Sequence, residues 1–109
     1  MTELEQKVLD QITEAEVVAL LQEITRINTV NPPGNEAALA QVLKAKLDQE
    51  GIPAELQYVT ENRANLIATL AGTGTGPTLL YNAHMDTVPV GDRANWKVDP
   101  FAGEIIDGK

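Results

Sequence analysis

The 109-residue chain carries 43% hydrophobic and 22% charged residues, a balance that points to one small globular domain rather than a disordered segment. Sixteen acidic residues against eight basic ones give a formal charge of -8, which repels phosphate backbones and anionic lipid and argues against nucleic acid and membrane surfaces as partners. With no cysteine, disulfides and thiolate metal sites are excluded, and any metal must be held by imidazole and carboxylate.

The chain opens without a basic start and apolar run, and no stretch approaches membrane-spanning length, so the expected location is cytoplasmic. Leu4, Val8, Leu9 and Ile12 recur at helical spacing. Thr13 with Glu16 forms a capping-box signature that starts a second helix. In that helix Val17, Leu20, Leu21, Ile24 and Ile27 form one apolar stripe, expected to face a core. Asn31-Pro32-Pro33-Gly34 interrupts it, because two prolines remove two backbone donors and push Asn31 toward an extended conformation. Asn35 is expected to cap a third helix running to about Glu50, with Leu39, Val42, Leu43 and Leu47 buried, Gly51 as its left-handed exit and Pro53 securing the stop.

Three short extended runs follow, 54–59, 65–70 and 78–83, and are read as strands. The glycine-rich stretch 71–77 between the last two reads as a tight reversal. It is a poor phosphate loop, because a strand rather than a helix N-terminus follows it. Helices followed by strands make the expected class α/β, a layered fold.

The apolar run 78–83 is read as an interior strand that delivers His84-Met85-Asp86 at its carboxyl end, where ligands of α/β sheets bind. Strand alternation puts His84 and Asp86 on one side and Met85 on the other. Metal-binding histidines are commonly built this way, one ring nitrogen on the metal and the other donating to a carboxylate that fixes the ring. A metal so held polarises an amide carbonyl and acidifies bound water. The plain alternative is a strand-end histidine whose only task is a hydrogen bond to Asp86. Asp92 and Asp107 flank glycines and read as turn residues, neither they nor Asp99 and Glu104 are expected to bind metal, and Glu61-Asn62-Arg63 reads as a solvated turn.

The wider context is Leu80-Tyr81-Asn82-Ala83-His84-Met85-Asp86-Thr87-Val88-Pro89-Val90-Gly91, then Trp96, Asp99-Pro100-Phe101 and a closing stretch from Gly103 to Lys109. It resembles the zinc metallopeptidase and deacylase family of acetylornithine deacetylase, succinyl-diaminopimelate desuccinylase, aminoacylase and carboxypeptidase G2, whose motif reads G-H-x-D-x-V-P followed by W-x-x-x-P-F. The Asn31-Pro32-Pro33-Gly34-Asn35-Glu36 segment and its helix share the resemblance, so nearly the whole chain is covered. Asn82-Ala83 departs from the serine or glycine that often precedes the histidine, a change that hardly bears on ligation.

The resemblance implies that His84 is the first zinc ligand and that Asp86 is the catalytic-site carboxylate clamping it, while Trp96 and Phe101 pack the following loop. It implies a site of two zinc ions, with cobalt as a substitute, that hydrolyses the amide of N-acyl amino acids or small peptides. It further implies that residues 1–109 are the amino-terminal portion of a layered zinc-peptidase-type catalytic domain, helices followed by the strands of an incomplete mixed sheet, without the smaller dimerisation or lid domain. The bridging aspartate, the general-base glutamate and the remaining ligands then lie beyond Lys109, so the chain alone is expected to be inactive and to self-associate through an exposed sheet edge. A non-catalytic binding or assembly module is the reading from another class. A two-metal phosphoesterase fits less well, because those enzymes open on D-x-H, the reverse order.

Overall fold

The computed structural model describes residues 1–109, which form two compact units, Thr29–Pro89 and Met1–Asn28 with Val90–Lys109. In the first unit, α3 (Glu36–Gln49) packs on a hairpin of β1 (Ala54–Thr60) and β2 (Arg63–Ala68). The hairpin is antiparallel, Ala54 opposite Ala68 and Thr60 opposite Arg63, with an irregularity between Tyr58 and Thr60. Its core is small: Ala37, Leu39 and Ala40 from the helix and Ala64 from β2 are the buried apolar residues, and Val42, Leu43 and Leu47 are only half-buried. Three alanines let the helix lie close to the strands, and Leu39 supplies the only large buried apolar side chain.

The ends of α3 follow the sequence reading at one terminus and depart from it at the other. Gly51 takes the left-handed conformation, φ 69°, and the Ile52 amide donates to Leu47 O at 2.9 Å, closing the helix as a glycine exit does. Asn35 occupies the N-cap position, but its side chain makes no capping bond, and its backbone (φ -153°, ψ 36°) lies outside the usual cap region. The first-turn amide of Ala37 is satisfied instead by Asn62 O of the hairpin turn, at 3.1 Å. A long-range carbonyl has taken the place of the local cap.

The expected third strand does not form. Residues 78–83 have no ladder partner, and Leu79, Leu80 and Tyr81 are exposed. An interior strand needs a neighbour on each side, and the only sheet is the two-stranded β1-β2 pair rather than a mixed one. Residues 71–77 are correspondingly an exposed stretch and not a hairpin reversal. What does pair is the segment beyond: Val30 and Thr87 form an isolated parallel bridge.

The second unit holds α1 (Glu3–Leu9), α2 (Glu14–Thr25) and a short 3₁₀ turn, Arg93–Asn95, capped by the Asp92 carboxylate on Ala94 N. Both helices begin with a complete capping box, Thr13 with Glu16 as read from the sequence and Thr2 with Glu5 in addition. The apolar stripe of α2 is not the core face expected of it: Val17, Leu20 and Leu21 are exposed, and Ile24 and Ile27 are half-buried. The reason is that this unit contains no strand for the stripe to cover. No helix is long and apolar enough to cross a membrane.

With so little burial, α2 depends on its ends. Thr13 holds the Glu16 carboxyl below the ordinary carboxylate range through side-chain and backbone hydrogen bonds. A depressed folded-state value contributes stability above the unfolded value, and that contribution is lost as pH falls through the folded one. Thr13→Ala is therefore expected to cost ~1 kcal/mol of helix stability and to flatten the acid limb of the ellipticity at 222 nm. An unchanged acid limb would show that the box is not coupled to α2.

The other end of α2 is tied to the carboxyl-terminal stretch: Gln22 Nε2 donates to Gly103 O at 2.6 Å and Arg26 Nε to Ala102 O at 3.0 Å. Gly103 has φ 60°, and a Cβ there would sit 2.9 Å from Gln22 O. Gly103→Ala is expected to add about 1–2 kcal/mol of left-handed strain to that backbone clash. Urea unfolding should show a lower midpoint, and a neutral substitution would mean the α2 contact is not held.

Candidate functional site

His84 and Asp86 lie together at the end of the segment that the Val30–Thr87 bridge holds in place. His84 Nδ1 is 2.9 Å from both the Asp86 backbone oxygen and Asp86 Oδ1. Both of those atoms can only accept, so Nδ1 carries a proton, and in the neutral ring Nε2 then presents its lone pair. The imidazole side chain is 84% exposed, against 31% for Asp86. The ring thus has one nitrogen engaged by the protein and the other facing outward.

The second Asp86 oxygen is also occupied: Asn31 Nδ2 donates to Oδ2 at 2.9 Å. Hydrogen bonds from Asn31, first, and from His84 hold the Asp86 carboxyl below the ordinary carboxylate range against the opposing effect of burial. Asp86 is therefore an anion over the physiological range with both oxygens turned toward protein groups. That arrangement suits a carboxylate standing behind a histidine and not one reaching for a metal itself.

Backbone contacts place these side chains. The Asn31 amide donates to Thr87 O at 2.9 Å, the Thr87 amide to Thr29 O at 3.1 Å, and Thr29 Oγ1 to Met85 O at 2.8 Å. Thr29 is 2% exposed, so the stitch between residues 29–31 and 85–87 is dry where it matters. Met85, expected to turn into packing, is half-buried. A cavity of about 440 Å³ adjoins the pair, with Thr60, Arg63, Asn65, His84 and Asp86 among its lining residues, a size within the range of small-molecule sites.

Arg63 is not the solvated turn residue that its sequence context suggested. It begins β2, and its guanidinium grips Glu36 through Nη2–Oε1 at 2.7 Å and Nε–Oε2 at 3.2 Å, with the Glu36 side chain only 8% exposed. The Glu36 hydrogen bond, then its charge, raise the Arg63 pKa. Neither Arg63 nor Asn31 stood out in the sequence as a site residue, because their partners are 27 and 55 positions away.

Trp96, Phe101 and the acidic residues Asp92, Asp99, Glu104 and Asp107 lie in the other unit. Trp96 Nε1 donates to Val90 O at 2.9 Å and Phe101 is half-buried, its amide donating to Asp99 Oδ1 at 2.9 Å. Asp107 sits in a turn with φ 52°, followed by Gly108 at 74°. No group of three or more histidine, aspartate or glutamate side chains is close enough to hold a metal ion. The donor set fits one ligand of a metal centre, His84, with its orienting carboxylate, and not a complete one.

No protein-family model matches the chain. Among curated proteins, it is 36% identical over 98 residues to a probable succinyl-diaminopimelate desuccinylase of Staphylococcus epidermidis, an alignment covering 90% of the chain and 23% of the relative. Against succinyl-diaminopimelate desuccinylase 2 of Ruegeria sp. the identity is 37% over 92 residues, covering 84% and 22%. A probable succinyl-diaminopimelate desuccinylase of Staphylococcus aureus is 37% identical over 89 residues, covering 82% and 21%. The chain spans less than a quarter of the length of these curated relatives.

Proposed function

The chain belongs to the peptidase and deacylase family that contains the succinyl-diaminopimelate desuccinylases, and from that premise we propose that it contributes one metal ligand, His84, to an amidohydrolase. The reaction is cleavage of the amide of an N-acyl amino acid by water, giving a carboxylate and a free amine. An N-succinyl diamino acid is the first substrate to test, because the relatives' names specify that class. The observation that supports the reading best is the His84 ring, with Nδ1 engaged by Asp86 and Nε2 facing outward.

In this reading His84 would hold zinc through Nε2, Asp86 would fix the tautomer and direction of the ring, and the chemistry supplied by zinc bound there would be Lewis-acid polarisation of the scissile carbonyl. The chain's own residues orient the ligand and line the adjoining cavity, where Arg63, Asn65 and Thr60 offer donors to the polar ends of a substrate. No three His, Asp or Glu side chains of residues 1–109 come together to complete a metal centre, so in this reading the other ligands and the general base come from outside these residues, and no deacylase activity is expected of the chain by itself.

Calorimetric titration of zinc into the metal-free chain tests the ligand assignment. A lone imidazole site is expected to bind with a dissociation constant weaker than about 1 µM, and His84→Ala is expected to abolish the heat. Binding that persists unchanged in His84→Ala would remove His84 from the site. Robust, metal-dependent desuccinylation by the isolated chain would overturn the claim that its donor set is incomplete.

A further inference from the structure

We propose that Asn31 is a positioning residue of this site: its side-chain amide pins the Asp86 carboxylate and so locks His84 in the tautomer whose Nε2 lone pair is free. The geometry is a three-member relay. Asn31 Nδ2 donates to Asp86 Oδ2 at 2.9 Å, and Asp86 Oδ1 accepts from His84 Nδ1 at 2.9 Å. The inference builds on the reading of His84 as a ligand, but its geometry and its test do not need a metal.

A carboxylate held at one oxygen can turn, because the terminal torsion of an aspartate is broad and two-fold. A donor on the other oxygen removes that freedom. Asn31 can serve as that donor because its backbone is paired with the stretch that carries Asp86: its own amide donates to Thr87 O, one residue beyond Asp86. On the other side, Thr29, two residues before Asn31, is almost fully buried and donates to Met85 O, one residue before Asp86. Asn31 and Asp86 are therefore held in register from both directions, and the relay is not a chance meeting of two surface side chains. The half-buried position of both residues reduces the share of water that could replace either bond.

The consequence falls on His84. An unconstrained neutral imidazole in water favours the proton on Nε2, the nitrogen that the site requires to be bare. The acceptors at Nδ1 reverse that preference, and Asp86 Oδ1 can do so only while the carboxylate faces the ring. Asn31 thus acts on His84 at second hand, through Asp86.

His84 is the only histidine in the chain, so its two ring nitrogens give unambiguous signals in long-range ¹H–¹⁵N spectra. The measurement uses the full, metal-free, ¹⁵N-labelled chain at about pH 8, where an unperturbed imidazole is neutral. The wild-type ring is expected to be mainly Nδ1-protonated. Asn31→Ala should cut that share at least twofold. Asn31→Asp, nearly isosteric but bringing a second carboxylate against Asp86, should do the same and serves if the alanine variant fails to fold, with backbone amide shifts reporting the fold of each. Asp86→Ala sets the value with the carboxylate contact removed and the backbone acceptor retained. A tautomer ratio unchanged in a folded Asn31 variant, or unchanged in Asp86→Ala, would overturn the proposal.

Zinc titration of the same samples separates this inference from the one it builds on. A tautomer lock that depends on Asn31, in a chain where zinc does not engage His84, supports the positioning role and removes the metal reading. Zinc bound at His84 with a tautomer indifferent to Asn31 does the reverse. With both in place, Asn31→Ala should weaken zinc binding by about tenfold, as is usual for partners behind a metal-binding histidine.

Discussion

Replacing Leu39 with alanine is expected to unfold the Thr29–Pro89 unit. Leu39 is 7% exposed, and its buried apolar companions, Ala37, Ala40 and Ala64, are all small. A buried leucine truncated to alanine costs ~2–5 kcal/mol, the upper end where the surroundings cannot collapse into the space. An alanine methyl has no rotamer with which to reach into it. Domains hold a net stability on the order of 0.1 kcal/mol per residue, so a unit of this size has little more than that to lose. Far-UV circular dichroism should show loss of the α3 signal and of a cooperative urea transition, whereas Leu39→Met, which conserves volume, should retain both. The His84 ring would then lose its tautomer preference as well, since the segment that orients it belongs to the same unit. A cooperative transition of undiminished midpoint in Leu39→Ala would mean that α3 is not seated on the hairpin.

The features legible in the sequence are those whose physics is local. Thr13 and Glu16 are three residues apart and close a capping box with each other, so the start of α2 needs no knowledge of the rest of the chain. Gly51 ends α3 because a left-handed backbone favours a residue without Cβ. The strand at 54–59 is found at Ala54–Thr60, and the second begins two residues earlier than its expected start, at Arg63. His84 and Asp86 meet because they are two residues apart, which is why the pair could be read without a structure.

What failed to follow from the sequence depends on distant partners. The apolar run 78–83 has the composition of an interior strand, but a strand exists only as part of a ladder, and no neighbour is offered. The stripe on α2 is patterned for burial, and periodicity says which face is apolar without saying what covers it. Asn35 has the chemistry of a cap, yet the hairpin turn supplies the carbonyl instead. Asn31 reads as a residue constrained by the proline after it, and only the parallel bridge to Thr87 reveals that it also faces Asp86.

Arg63 was hidden for the same reason, and its removal is expected to give the second large loss of stability. Its fork engages both oxygens of Glu36, a geometry that adds strength and direction to the pair. The two partners are unequally buried, 41% exposed for the arginine side chain and 8% for the glutamate, and the consequences of losing each differ accordingly. Without Arg63, a carboxylate in the first turn of α3 is left nearly buried with no countercharge, a situation far more costly than the pair itself is favourable. Without Glu36, the guanidinium is left half in water and can complete its solvation there. Arg63→Met should therefore lower the urea midpoint well beyond the ~0.2–1 kcal/mol expected from an exposed pair such as Lys44–Asp48, and clearly more than Glu36→Gln does. The double variant should recover much of the loss, because the buried group left behind is then neutral. Arg63→Lys should recover only part, since an ammonium cannot reproduce the fork. The raised Arg63 value means that the pair's contribution on that side is fully present below the ordinary arginine range and is lost only as pH rises through the folded value, so the ordering should hold from neutral to mildly alkaline pH. Equal, small and additive effects of the two single substitutions would show instead that the pair lies on the surface in solution. The cavity beside His84 would then have a mobile arginine at its wall rather than one fixed by a buried glutamate.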